Sequence, residues 1–190
     1  MAIVLYPTVF HPKIYLTTDT LFAYLNNQDI SNQSMLELGC GSGVISLLLG
    51  KKYPGKVLAS DINVEACRGL RKNAEGLGID LKVYESDLLA SIPSQDIDTI
   101  IVNPPYFNKE VGEVDEYAFY TGSNYEYFHR LLEQLENIDF DSVIMILTDQ
   151  CDLKHILHLI DSAPFQYDLV HQSSIYREQH YIYKIKKDKL

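Results

Sequence analysis

Four consecutive residues, Asn103-Pro104-Pro105-Tyr106, carry the sharpest chemical signal in this sequence. Asn103 offers a side-chain carbonyl. The backbone carbonyl of Pro104 points in a defined direction, because proline fixes its own φ and restricts the residue before it. Two neighbouring acceptors can hold both hydrogens of one –NH2 group. Tyr106 adds a flat face on which a planar substrate can stack. A planar amino or amide nitrogen is a poor nucleophile, because its lone pair is delocalised into the adjoining ring or carbonyl. Gripping both N–H bonds fixes the nitrogen, favours a pyramidal form and aims the lone pair at an electrophile, so alignment supplies most of the rate. No strong base is needed first, since the proton can leave once the nitrogen is cationic. An exocyclic amine of adenine and a side-chain amide of glutamine fit this grip equally well. The blander reading is a Pro-Pro turn with a surface tyrosine. Against it stands the position of the tetrapeptide at the end of a buried apolar run.

A second segment, Glu37-Leu38-Gly39-Cys40-Gly41-Ser42-Gly43, follows a short apolar run and opens a helical pattern. Its alternating glycines let the backbone turn sharply and let a ligand approach closely. The free N–H groups of the helix start then face that ligand. Asp61 stands 18 positions after Gly43, at the end of the next apolar run. An acid there accepts hydrogen bonds from both ribose hydroxyls of a nucleoside. A dinucleotide fingerprint, G-x-G-x-x-G, is not met: Val44 or Ser46 stands where its third glycine belongs. The E-x-G-x-G-x-G form instead resembles the motif of S-adenosylmethionine methyltransferases. That resemblance implies that Glu37, Gly39, Gly41, Gly43 and Asp61 bind the cofactor, with the glycines beside its methionine part. It also implies that Asp87 hydrogen-bonds the adenine amino group; taken alone, Asp87 reads as a turn residue.

These segments need a scaffold that brings them together. Met35 to Leu38 reads as a short buried strand, Val44 to Lys52 as a helix stopped by Tyr53-Pro54-Gly55. Lys56 to Asp61 is a second strand. Asn63 caps a helix running to about Glu75, which Gly76 and Gly78 end. Leu81 to Tyr84 and Ile97 to Val102 are the third and fourth strands, and Ser142 to Leu147 is the fifth. Tyr125 to Glu136 and Leu153 to Ile160 are helices. Tyr167 to Ser174 and Tyr181 to Ile185 are two final strands joined through Tyr176-Arg177-Glu178. The alternation predicts an α/β fold, Rossmann-like, with a seven-stranded, mostly parallel sheet, one antiparallel edge strand and helices on both faces. In such a sheet ligands sit at the carboxyl ends of the strands, which places the tetrapeptide beside the glycine loop.

The 190 residues fit a single domain (1–190), and 46% hydrophobic content excludes disorder for the bulk of the chain. The net charge of -10 disfavours broad, non-specific binding to a phosphate backbone. Cys40, Cys67 and Cys151 lie far apart, without metal-ligand spacing or a disulfide framework, which suits a reducing, cytoplasmic setting. The first residues, broken by Pro7 and Pro12, do not read as a signal peptide, and no apolar run approaches membrane-spanning length. His155 and His158 lack a third ligand, so no metal is expected. The lysines at 184, 186, 187 and 189 read as a solvated tail.

Together these residues resemble a class I S-adenosylmethionine-dependent methyltransferase of the HemK/PrmC type over about residues 10 to 150. Asn103-Pro104-Pro105-Tyr106 matches the amino-methylating branch, and Asn103, Pro104 and Tyr106 are its catalytic residues by that resemblance. Thr121 to Tyr125 and Tyr127 to Leu132 resemble the family's glycine-containing segment and following helix. Phe10-His11-Pro12 and Thr18-Asp19-Thr20-Leu21 resemble the lead-in over the cofactor, within residues 1–33. Thr18 and Asp19 would then line the cofactor pocket; equally, they would cap a helix at Leu21 to Leu25. The family methylates the glutamine of the Gly-Gly-Gln motif of translation release factors. No counterpart of the family's N-terminal helical domain, its separate substrate-recognition domain, is expected from these residues. The short form is closer to eukaryotic and archaeal relatives that work with a small zinc-binding partner, and to stand-alone enzymes acting on adenine in RNA. Expected, then, is an N-methyltransferase acting on a protein glutamine. The alternatives are N6-adenine methylation of RNA or DNA, and a catalytically silent binding subunit. The loop from Lys109 to Glu126 holds Glu110, Glu113, Asp115, Glu116 and Glu126 against one lysine, which favours a basic protein over nucleic acid. Phe107 to Ser123 lacks a sustained apolar period and is expected to be mobile without substrate; uniform strong protection in hydrogen exchange would contradict this.

Overall fold

In a computed structural model, residues 3, 4, 6, 9, 16–93 and 97–188 are described. Strands β1 (Met35–Leu38), β2 (Val57–Asp61), β4 (Thr99–Val102) and β5 (Ser142–Thr148) are buried along their whole length. Near-continuous apolar runs require this, because both faces of a parallel sheet are covered. β3 (Lys82–Glu85) mixes charged and apolar residues, and it takes one edge. The sheet order is β3-β2-β1-β4-β5-β7-β6, with β1 to β5 all parallel.

β6 (Phe165–Ile175) and β7 (Glu178–Lys187) form a hairpin through Tyr176 and Arg177, whose φ values of 48° and 73° suit a tight two-residue turn. β7 is antiparallel to both β5 and β6. The antiparallel pairing thus occupies the sheet margin, but the reversed strand lies one place in from the edge. Burial decides which member of the hairpin goes inside. Ile182, Tyr183 and Ile185 of β7 are buried, whereas Leu169 of β6 is 49% exposed.

Helices α1 (Thr17–Asn26), α2 (Val44–Lys52) and α3 (Val64–Leu77) cover one face. There Leu21, Leu25, Ile45 and Leu49 meet Met35, Val57, Ile101 and Ile144, while Leu70 and Ala74 pack on Ala59. α4 (Glu126–Glu136) and α5 (Leu153–Asp161) cover the other. Phe128, Leu131 and Leu135 of α4 and Ile156 of α5 sit among Leu36, Ile100, Val143 and Met145. Asn63 caps α3 by accepting from the Glu65 N–H at 2.9 Å. Gly78, at φ 65°, ends it, while Gly76 remains inside the helix. α1 begins earlier than the apolar pattern suggests. Its N-cap position is Leu16, without a side-chain cap bond, so Thr18 and Asp19 lie in its first turn and cap nothing.

Phe10, His11 and Pro12, of the lead-in, lie outside the described residues, as does Lys189 of the tail. Val4 is tied to α3: its N–H donates to Asn73 Oδ1 at 2.8 Å, and Asn73 Nδ2 returns a bond to its carbonyl at 2.9 Å. Among the described residues no helix is long and apolar enough to cross a membrane. The chain leaves β1 toward β2 on one side and reaches β4 on the other. This switch point opens a crevice at the carboxyl ends of β1 and β4, where the glycine loop and the tetrapeptide begin.

Candidate active site

The loop from β1 to α2 turns on three left-handed glycines, Gly39, Gly41 and Gly43, with φ of 73°, 49° and 71°. Side chains are strained at such angles, so glycine is needed. The N–H groups of Gly39 and Cys40 both reach the Ser60 carbonyl at 2.9 Å, fastening the loop to β2. Gly43 stands at the N-cap of α2 and has no side chain to cap it. Glu37, across on β1, does this from outside. Its carboxylate accepts from the Ser46 N–H at 2.9 Å and from the Ser46 hydroxyl. Burial drives the Glu37 carboxyl up to about 7, against the two Ser46 bonds, which lower it. Glu37 borders the crevice, and one of its two oxygens, Oε2, holds the helix start.

Asp61, at the end of β2, is 9% exposed. One oxygen accepts from the Gly41 N–H at 2.7 Å, the other from the Asn63 N–H at 2.8 Å. Those bonds orient the carboxylate and leave further lone pairs for a ligand. Burial raises its pKa against these bonds. Asp87, after β3, forms an ion pair with Arg130 of α4, and both border the same crevice. Leu88 follows with φ 53°, a left-handed conformation that costs a leucine about 1–2 kcal/mol. Strain of this kind collects where the backbone is bent around a ligand site.

The tetrapeptide closes the opposite wall. Tyr106 is only 8% exposed. Its Oη lies 2.6 Å from Asn103 Oδ1 and 2.8 Å from Thr17 Oγ1 on α1. The tyrosine, expected as a stacking face, fixes the neighbouring amide through its hydroxyl. After Tyr106 the chain folds over the crevice. The Tyr106 and Phe107 N–H groups bond the Phe119 carbonyl at 3.1 and 2.9 Å, and the Thr121 N–H returns to the Phe107 carbonyl at 2.9 Å. A 3-10 turn, Val114–Ala118, sits at the apex. The Glu116 carboxylate accepts from the Gly112 and Glu113 N–H groups at 2.7 and 3.1 Å, which hold its pKa low. The segment expected to be mobile thus has its ends fastened and its own capped turn.

The result is one cavity of about 390 Å³, within the usual range for a small-molecule site. It gathers Gly39, Gly41, Asp61, Asp87, Asn103 and Pro104 from four separate loops. Glu37, Tyr106 and Thr18 also border it, and Gly43 stands at the base of the glycine loop. Asp19 is exposed and is not on its wall, because the helix starts two residues before it and turns its side chain outward. Sequence reasoning missed Thr17, Arg130 and Leu88. Arg130 follows Tyr127 by one helical step on the face of α4 that borders the cavity. No sequence pattern marks Thr17, since only the packing of α1 brings it to Tyr106. Among the described residues no group of three His, Cys, Asp or Glu side chains could hold a metal ion.

Residues 1–118 match the family described as the methyltransferase small domain. A Methanocaldococcus jannaschii protein, named provisionally as a protein N5-glutamine methyltransferase, is 32% identical over 133 residues, covering 67% of this chain and 67% of that protein. The release factor glutamine methyltransferase of Streptococcus pneumoniae is 40% identical over 81 residues, which span 42% of this chain but only 29% of that enzyme. RNA-directed methyltransferases match over parts of their length as well. Among solved structures, that of the Encephalitozoon (E. cuniculi) Mtq2-Trm112 complex, described as responsible for methylating the eRF1 translation termination factor, superposes with TM-score 0.73. It covers 95% of this chain and 99% of that one at 21% identity, a likeness of fold. With a glycine loop, a buried acid and an Asn-Pro-Pro-Tyr wall around one cavity, the chain belongs to the methyltransferase small domain family.

Proposed function

We propose that this protein transfers a methyl group from S-adenosylmethionine to the side-chain amide nitrogen of a glutamine in a translation release factor. The observation that carries the reading is the oriented Asn103 amide at the cavity wall, facing a glycine loop on the neighbouring strand. The residues present fit the donor. A Cβ on Gly39, which lines the cavity, would meet no atom within 4 Å, so the left-handed loop leaves open space there. Asp61 retains lone pairs for ribose hydroxyls, and Asp87, on the same cavity wall, would meet the adenine amino group. Thr18 would border the same ligand. When bound, S-adenosylmethionine supplies an electrophilic methyl on a sulfonium.

The chain's own residues do the rest. Asn103 Oδ1 and the Pro104 carbonyl accept the two N–H bonds of the substrate amide and hold its nitrogen in line. The fastened loop after Tyr106 narrows the entrance and excludes water. Glu110 and Glu126 border it, and Glu113 and Glu116 lie in the same loop, a negative charge that suits a basic protein surface better than a phosphate backbone. A small activating subunit is part of the proposal, supported by the likeness to a protein solved in complex with a partner, Mtq2-Trm112, as is a cytoplasmic site of action. The RNA-directed relatives keep N6-adenine methylation as the second reading; the acidic rim disfavours it.

The test is transfer of labelled methyl from S-adenosylmethionine into an extract of source cells lacking the gene, followed by protease and nuclease. Protease-sensitive label in a band the size of a release factor is expected; nuclease-sensitive label would replace glutamine with adenine. Asn103→Ala should lower kcat at least about 100-fold while S-adenosylmethionine still binds. Full activity in that variant would reject the amide grip. No label from the wild type, even with a candidate subunit added, would point to the silent binding subunit.

A further inference from the structure

Thr17 makes two contacts with the tetrapeptide from a different element. It is fully buried in the first turn of α1. Its Oγ1 lies 2.8 Å from Tyr106 Oη and 3.4 Å from Asn103 Nδ2, while Tyr106 Oη lies 2.6 Å from Asn103 Oδ1. Three side chains therefore form a closed ring. A phenol carries one hydrogen, so Tyr106 cannot donate to both neighbours. Phenol is a stronger donor and a poorer acceptor than an aliphatic alcohol, and an amide oxygen is the better acceptor of the two. The hydrogen of Tyr106 therefore goes to Asn103 Oδ1. Thr17 then supplies the hydrogen of the 2.8 Å contact and receives one from Asn103 Nδ2. The ring then runs in one direction, and the 2.6 Å separation at Tyr106, short for N–H···O and ordinary for O–H···O, puts the amide oxygen at that contact. One lone pair of Oδ1 is used; the other is left for a substrate N–H.

We infer that Thr17 is a positioning residue for methyl transfer: through Tyr106 it locks the Asn103 amide with its oxygen toward the incoming nitrogen. The inference rests on the proposed role of Asn103. α1 is itself anchored on the far side of the sheet margin. Thr20 Oγ1 lies 2.7 Å from Nδ1 of the buried His180 on β7, whose Nε2 is 3.0 Å from Glu178. Thr17 is thus held by a helix with little freedom to shift, as a positioning device requires.

Thr17→Val keeps the shape and removes both bonds. Expected is a kcat lower by roughly 10- to 100-fold, with the Kd for S-adenosylmethionine within about twofold, and recovery in Thr17→Ser. A kcat within about twofold of wild type in Thr17→Val, or no recovery in a folded Thr17→Ser, would overturn the inference. A second readout needs no substrate. The Asn103 side-chain amide signals, identified by their loss in Asn103→Ala, should shift and exchange faster with water in Thr17→Val and, in the same sense, in Tyr106→Phe. Unchanged signals in either variant would also overturn it. Should the wild type fail to methylate a glutamine substrate, the proposed substrate falls while these signals still decide the role of Thr17.

Discussion

The acids of the site are distinguished by what already holds them. Glu37 and Asp61 are both buried, yet each is bonded to backbone N–H groups of the segment it shapes, Ser46 for one and Gly41 and Asn63 for the other. Burial wins over these bonds and raises both pKa values, Glu37 to about 7 from an ordinary 4.5. The consequence has a definite sign. Between those two values the folded protein binds a proton that the unfolded chain has released, so Glu37 makes stability fall as pH rises, by up to about 1.4 kcal/mol per unit. Below the lower value the contribution is absent, and above the upper it is complete. Glu37→Gln, which can still accept from the Ser46 N–H, should therefore flatten the decline of melting temperature between pH 5 and 7. Parallel curves for the two proteins would show that Glu37 does not titrate there.

At the scale of elements, the start of α2 is where folding and binding share the same backbone. Gly39 and Gly43 have nearly equal φ, but their surroundings differ. A Cβ on Gly43 would lie 2.4 Å from Leu70 Cδ1 of α3, whereas one on Gly39 meets nothing within 4 Å. Both alanines carry the left-handed strain of about 1–2 kcal/mol; Gly43→Ala adds overpacking of about 1–3 kcal/mol. Urea unfolding should show Gly43→Ala as the less stable of the two, while Gly39→Ala loses affinity for S-adenosylmethionine with a smaller loss of stability. Equal stabilities would mean that Leu70 yields freely and that α2 and α3 are not tightly seated. The same arithmetic explains why α2 needs Glu37: a glycine required for its φ cannot also cap the helix.

For the whole molecule, charge and topology act at long range. The net charge is -10, and the segment over the cavity is rich in acids, of which Glu110 and Glu126 border it. The basic partner proposed above would be drawn in by a field that salt screens within about 10 Å at 0.1 M. The association rate with a release factor should fall severalfold between 50 and 500 mM salt, read by stopped-flow or surface binding, while the dissociation rate changes less. A rate that rises with salt would assign the acidic rim to repulsion and move the docking face elsewhere.

The sequence by itself determined the elements and the chemistry of their junctions. β1, α2, α4 and α5 were legible because their apolar residues follow period or run length, and Asn63 and Gly78 because caps are local. The glycine loop, Asp61, Asp87 and Asn103-Pro104 were legible because each follows a buried strand directly, and a parallel sheet gathers such positions at one rim. Tertiary structure alone decided what these groups do for one another. Glu37 was read as a ligand group; it borders the cavity, and the structure adds that its Oε2 holds a helix start through Ser46. Asp19 faces solvent because α1 begins at Thr17, a boundary fixed by packing and not by a cap. Arg130 meets Asp87 across 43 positions, and Thr17 meets Tyr106 across 89. Contacts of that separation leave no period and no motif, since each partner is chosen by the geometry of two elements that the chain brings together only after both have formed.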